Sequence, residues 1–207
     1  LADIQSIAAN KLVVNSGRDR PTLDAWLGGL GIDLAAEHGA WVKINNQWTR
    51  NPNLTGTWKK SVIEVLETLV ERTPGSFIEE KDFSVAWHYR MVDKDFGEKR
   101  VREFRDVLLY LTSNLDLQVL EGNKVVEVKN AGVNKGKASL SWINADDWDF
   151  ILAIGDDHTD EDTFRALPPE DYAYSIKVGT GQSSARYNIV SVEEVRVLLR
   201  NLAETRP

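Results

Sequence analysis

Short apolar runs alternate with polar turns over the first fifty residues. Leu12, Val13 and Val14 form one run, closed by Asn15-Ser16-Gly17-Arg18, and a continuous run of this length bounded by turn residues reads as a buried strand. Asp19 stands just ahead of Arg20-Pro21-Thr22, where a carboxylate caps a helix and proline is tolerated in the first turn. Residues 1–10 read as the end of an amphipathic helix. Residues 33–42 place a short apolar run before and after Gly39, and 41–48 alternates like a hairpin turning at Asn45-Asn46.

The rhythm then changes. Val62, Val65, Leu66, Leu69 and Val70 share one face of a predicted helix over 58–73, residues 76–90 alternate like strands, 97–111 is helical again, and 117–129 predicts two short strands joined at Glu121-Gly122-Asn123. Afterwards the first pattern returns, with a helix from 135 to 143 and an apolar strand from 149 to 154. Gly155-Asp156-Asp157-His158-Thr159-Asp160-Glu161-Asp162 follows as an acidic turn leading into a helix at 163–167. Strands at 172–178 and 188–192 precede a closing helix at 193–203 whose inner face carries Val195, Leu198, Leu199 and Leu202. A strand followed directly by a helix is the unit of a doubly wound sheet. The expectation is therefore an α/β protein: a Rossmann-like doubly wound parallel sheet from 1–52 and 131–207, with an inserted α+β domain at 53–130.

Composition narrows the chemistry. Hydrophobic residues at 42% and charged residues at 28% suit a packed soluble domain and not a disordered chain. The 207 residues contain no cysteine, which excludes disulfides, thiolate catalysis and cysteine-ligated zinc and leaves a cytoplasmic location as the default. A net charge of -7 argues against nucleic-acid binding, which needs a basic stripe, and no run of 18 apolar residues or basic-apolar leader points to a membrane or to export.

The acidic cluster at 156–162 is the strongest chemical signal. It follows a strand of buried character, and in open α/β sheets ligands collect beyond the carboxyl ends of strands. Carboxylates packed this closely stay ionised at little cost only beside a cation, and Mg²⁺ is the natural hard-oxygen candidate. Aspartates that merely cap and solvate a helix start would look the same. Ser16 and Lys135 stand at two further strand–helix junctions, so three different groups converge on one predicted sheet edge.

Asn15-Ser16-Gly17-Arg18-Asp19, Asn134-Lys135-Gly136-Lys137-Ala138 and Gly155-Asp156-Asp157-His158-Thr159-Asp160-Glu161 resemble motifs two, three and four of haloacid-dehalogenase phosphatases. Ala36-Glu37-His38-Gly39-Ala40, His88-Tyr89-Arg90, Val126-Glu127-Val128 and Ala185-Arg186-Tyr187-Asn188-Ile189 resemble the trehalose-6-phosphate phosphatase branch in particular. The resemblance spans nearly the whole chain and implies a phosphoaspartyl mechanism. In it Ser16 would donate to the phosphoryl group and Lys135 would neutralise it. Asp156, with Asp157 as helper, would hold Mg²⁺, and Asp160 would orient Lys135 or metal-bound water. The insert would be a cap whose Arg90, Glu79, Lys81, His88, Lys124 and Glu127 face a sugar phosphate, with Arg18 beside the phosphate turn. As isolated residues Glu79, Lys81, Arg90, Lys124 and Glu127 are equally well read as solvated strand-face charges, His88 as a half-buried structural histidine, and Arg18 as the partner of an acidic core residue.

The first motif, Asp-x-Asp-Gly-Thr, is the departure. Asp93-Lys94-Asp95 reads as a helix cap, and Asp147-Trp148-Asp149 precedes its strand instead of following it. The expectation is that one strand–loop–helix unit of about 30–40 residues, bearing the nucleophile, lies upstream of Leu1. Three functions follow: hydrolysis of trehalose 6-phosphate, hydrolysis of another sugar phosphate, or a catalytically silent regulatory module of a fused or associated trehalose-phosphate synthase.

Overall fold

The computed structural model describes residues 1–204, which separate into two compact units, one of Leu1–Asn51 with the chain from Asn134 onward, the other Pro52–Val133. In chain order the first stretch holds α1 (Ala2–Gln5), β1 (Val13–Asn15), α2 (Arg20–Leu27), β2 (Asp33–Ala36), β3 (Trp41–Ile44) and β4 (Gln47–Arg50). The second unit follows with α3 (Lys59–Glu71), β5 (Phe77–Glu80), β6 (Ser84–His88), α4 (Lys94–Thr112), β7 (Leu117–Gly122) and β8 (Val125–Asn130). The chain then returns to the first unit with α5 (Lys135–Ile143), β9 (Ile151–Gly155), α6 (Asp160–Ala166), β10 (Ala173–Val178), β11 (Tyr187–Ile189) and α7 (Val192–Glu204).

Local chemistry sets the junctions of the first unit. The Asp19 carboxylate accepts from the Thr22 N–H at 2.8 Å and caps α2, with proline in the first turn. Asn45 and Asn46 both take positive φ, the two-residue turn that suits the twist of the β3–β4 hairpin. Strand β1 pairs in parallel with β2, with Val14 opposite Leu34, and β3 and β4 continue antiparallel. Leu23, Ile32, Leu34 and Ala36 form the buried centre beneath these strands.

The doubly wound sheet is not continuous. Strands β9, β10 and β11 form a separate parallel sheet in the order β11-β10-β9, so β9 and β1 are both edge strands among the described residues. Every residue of β9 is only half-buried, whereas a strand inside a parallel sheet is normally covered on both faces. Helices α5 and α6 pack on each other, and they lean on β1 and β9 respectively. Helix α7 keeps the predicted apolar face, yet none of its residues is fully buried.

The second unit is an antiparallel sheet in the order β5-β6-β8-β7, carrying α3 and α4 on one face. Val62, Leu66 and Leu69 of α3, at helical spacing, meet Val85, Trp87, Val126 and Val128 from alternate strand positions, all at 4% exposure or less. Burying each such side chain stabilises by about 1.5–3 kcal/mol. The period of two puts Glu79, Lys81, Ser84, Ala86, His88 and Glu127 on the opposite face, with Glu79, Ala86 and Glu127 in one cross-strand row. Among the described residues no helix is long and apolar enough to cross a membrane.

Candidate active site

The groups singled out in the first unit stand at its strand–helix junctions. Ser16 follows β1, Lys135 is the first residue of α5, and Asp156 follows β9. Asn134 caps α5 by accepting from the Lys137 N–H at 2.8 Å. The Asn15 side chain donates to the Lys135 carbonyl at 2.9 Å, which ties the end of β1 to the start of that helix.

Asp160 is the hub. Its Oδ1 accepts from Lys135 Nζ at 2.7 Å and its Oδ2 from the Asp157 N–H at 2.9 Å, with the Asp160 and Lys135 side chains only 13% and 10% exposed. One carboxylate thus fixes both the cation and the acidic loop. Gly155 makes room for it: a Cβ there would lie 2.3 Å from the Asp160 carboxyl carbon. Helix α6 begins at Asp160, three residues earlier than the sequence pattern predicts, so Asp160 to Asp162 form its first turn, where the helix dipole favours negative charge.

Asp156 and Asp157 are exposed at the end of β9. Partial burial pushes the Asp157 carboxyl up. Hydrogen bonds from the His158 ring at 2.7 Å and backbone N–H at 2.6 Å, with the charges of His158 and Lys135, outweigh this and hold it below its ordinary value. These oxygens form a hard donor set of the kind Mg²⁺ accepts when one or two carboxylates are joined by water and substrate phosphate. Among the described residues no three His, Cys, Asp or Glu side chains converge into a complete metal cage.

Lys177 escaped the sequence reading, and Glu161 stood in it only as one member of the acidic cluster. Lys177, at the C-terminal part of β10 in register with Gly155, donates from Nζ to the Asp156 carbonyl at 2.5 Å. Applying the strand-end rule to β10 as well as β9 would have found it. Glu161 accepts from the Ser183 hydroxyl at 2.7 Å and the Ser184 N–H at 2.6 Å, anchoring the loop after β10. Burial raises the Glu161 pKa, but these bonds and the charge of Lys177 bring it below its ordinary value overall.

The substrate-facing candidates divide. Arg18 is exposed and lies over the Trp26 ring, 5.4 Å from its centroid. In the second unit Lys81 and Ser84 donate to Glu127 Oε1 at 3.0 and 2.7 Å, and His88 Nε2 lies 2.7 Å from Glu79. These groups share one sheet face. Lys124 does not join them: its ammonium lies over Tyr89, 5.5 Å from the ring centroid, and Tyr89 stacks on the helix-side Trp87. Arg90 is exposed just beyond β6. Asp93 caps α4 by accepting from the Phe96 N–H at 3.0 Å, and Asp147 and Asp149 both precede β9.

Comparison with known proteins adds lineage to geometry. The trehalose-phosphatase family matches residues 1–195. The chain is 40% identical over 200 residues, 94% of its length, to the UDP-forming alpha,alpha-trehalose-phosphate synthase B of Dictyostelium discoideum, of which it covers 25%. It is 36% identical over 98% of its length to the bifunctional trehalose-6-phosphate synthase/phosphatase of Thermoproteus tenax, covering 28% of that protein. The chain therefore spans about a quarter of the length of the curated relatives it matches. Among solved structures, the C-terminal domain of Candida albicans trehalose-6-phosphate phosphatase superposes with a TM-score of 0.88 at 28% identity, over 100% of this chain and 82% of that one.

Proposed function

The chain belongs to the trehalose-phosphatase family, and on that premise we propose that the whole protein hydrolyses trehalose 6-phosphate to trehalose and inorganic phosphate. The observation that carries this reading is the Lys135–Asp160–Asp157 connection, in which one buried carboxylate holds a cation and an exposed acidic loop at the ends of adjacent elements. Phosphoryl transfer is catalysed mainly by positioning and charge stabilisation, and this hub supplies both. Ser16 donates its hydroxyl to a phosphoryl oxygen. Lys135, oriented by Asp160, neutralises the charge that gathers on the group. Asp156, helped by Asp157, would hold Mg²⁺, which would supply polarisation of the phosphoryl oxygens; Lys177 braces the loop after β9 through the Asp156 carbonyl, and Glu161 the loop after β10 through Ser183 and Ser184.

The nucleophilic aspartate, in this reading, comes on a strand outside the described residues that pairs with β1 and β9. Two observations support it: β1 and β9 are both edge strands among the described residues, and every residue of β9 is only half-buried. The second unit acts as the cap. Its Lys81–Glu127–Ser84 and Glu79–His88 groups offer donors and acceptors side by side, as recognition of sugar hydroxyls requires. A synthase on the same chain or in the same complex is the proposed partner, in keeping with relatives about four times as long. A cytoplasmic location belongs to the same proposal.

A second reading is a silent regulatory domain of such a synthase; the Asp-x-Asp pairs within this chain stand at a helix cap and ahead of a strand, so neither of them supplies a nucleophile. The deciding experiment is phosphate release from trehalose 6-phosphate by the full-length protein with and without Mg²⁺, alongside Asp156→Asn. Metal-dependent turnover that the substitution abolishes is expected. A folded full-length protein with no turnover establishes the silent module instead.

A further inference from the structure

The turn Glu37-His38-Gly39 has no role in the chemistry above, yet among the described residues it is the one place where three consecutive residues take positive φ. Glu37 and His38 take φ of 47° and 60°, and Gly39 follows at 102°. Two consecutive non-glycine residues in the left-handed region are disfavoured, and such strain persists where the surroundings over-determine it, commonly next to working groups. Both residues are buried, at 3% and 6% exposure.

What the turn touches is specific. The His38 N–H donates to the Ser16 carbonyl at 2.9 Å and the Glu37 N–H to the Arg18 carbonyl at 2.9 Å. The Ser16-Gly17-Arg18 loop is therefore clamped at both ends, while its own Arg18 N–H reaches Ser16 Oγ at 3.2 Å. The Cε1–Nε2 side of the imidazole stands against the middle of that loop: a Cβ on Gly17 would fall 2.7 Å from both atoms. On its other side the turn packs on α5, where a Cβ on Gly39 would lie 2.5 Å from the Ala138 Cβ, one helical turn beyond Lys135.

We infer that this strained turn is a spacer that sets the separation between the Ser16 hydroxyl and the Lys135 ammonium, with His38 acting as a positioning residue through the Gly17 backbone. The inference rests on the phosphatase reading of Ser16 and Lys135. It makes Gly17 a steric partner of His38 and not merely a flexible link.

The test is a steric double-mutant cycle on the full-length protein, reading kcat and KM for trehalose 6-phosphate and the melting temperature of each variant. Gly17→Ala drives its methyl into the imidazole and lowers kcat roughly 100-fold, the scale of an ångström of misplacement. His38→Gly removes the ring at a φ glycine accepts, and lowers kcat about 10-fold with KM nearly unchanged, as expected for an interaction made in the transition state. Adding His38→Gly to Gly17→Ala restores about 10-fold of the lost kcat, because the clash is gone. A double variant that melts like the wild type but turns over no faster than Gly17→Ala overturns the inference, as does a His38→Gly protein with lowered melting temperature and wild-type kcat. Should Gly17→Ala not fold, recovery of fold and turnover in the double variant still decides the matter. Absence of turnover in the wild type defeats the phosphatase reading and this inference with it; wild-type turnover without rescue defeats the inference alone.

Discussion

Replacing Asp160 by asparagine removes the charge that faces Lys135 while keeping the shape. The two side chains are 13% and 10% exposed and their closest atoms are 2.7 Å apart, so solvent offers the ammonium little compensation. Leaving one member of a buried pair without its partner costs about 3–5 kcal/mol. At roughly 2–4 °C per kcal/mol for a domain of this size, Asp160→Asn lowers the melting temperature by about 6–20 °C. The asparagine also has to present its oxygen to either the Asp157 N–H or Lys135, where the carboxylate served both. Lys135→Met, which removes the cation, leaves Asp160 as the unpaired charge and falls in the same range. Asp160→Asn/Lys135→Met keeps neither charge of the pair, so its loss is smaller than the sum of the single losses by at least about 1.5 kcal/mol. Thermal melts of the four full-length proteins by calorimetry measure this directly. A shift under 2 °C for Asp160→Asn, or strict additivity in the double variant, refutes the view that one buried ion pair organises the site.

Three other outcomes are expected. Glu127→Ala strips the acceptor from both Lys81 and Ser84, and lowers kcat/KM for trehalose 6-phosphate at least about 10-fold more than for a small aryl phosphate; equal losses remove Glu127 from sugar recognition. Leu66→Ala, at 1% exposure in the second unit, costs about 2–5 kcal/mol in denaturant unfolding through the cavity it leaves. Glu161 has a folded-state pKa below its ordinary value of 4.5, so its stabilisation is present above that value and is lost as pH falls through the folded pKa. The melting temperature of Glu161→Gln therefore trails the wild type at pH 7, and the gap closes progressively below pH 4.5; a gap independent of pH contradicts the assignment.

Local signals carried most of what could be read from the sequence. Asp19 and Asp93 cap helices because their side chains reach the N–H three residues on, and Asn45-Asn46 turns a hairpin because asparagine tolerates positive φ; each is settled within a few residues. The α/β class followed from strand and helix alternating, and Ser16, Lys135 and Asp156 do lie at the expected junctions. Apolar runs, by contrast, do not say which strand pairs with which, so the division of the parallel sheet at β1 and β9 was not legible. The start of α6 was hidden because its first apolar residue is Phe164, leaving an acidic turn that looks like loop. Lys124 illustrates side-chain direction: it sits in the tight turn between β7 and β8 at φ 62°, and that backbone sends its amine to Tyr89. Glu161 was visible only as one acid among several, since its partners Ser183 and Ser184 stand 22 and 23 residues away.

The order in which the chain leaves the ribosome gives the split first unit a kinetic meaning. Residues 52–133 are contiguous and hold their own core, so they can fold as soon as they emerge. Strands β1 to β4 emerge earlier, but the carbonyl that receives Asn15, that of Lys135, lies 120 residues further on. At about 5–20 residues per second, the first part of the unit waits on the order of 6–24 s for α5. During that interval the Ser16 loop has a strand behind it and no helix in front. Slowing translation through the second unit lengthens the exposure, and a chaperone that shields β1 shortens its consequences.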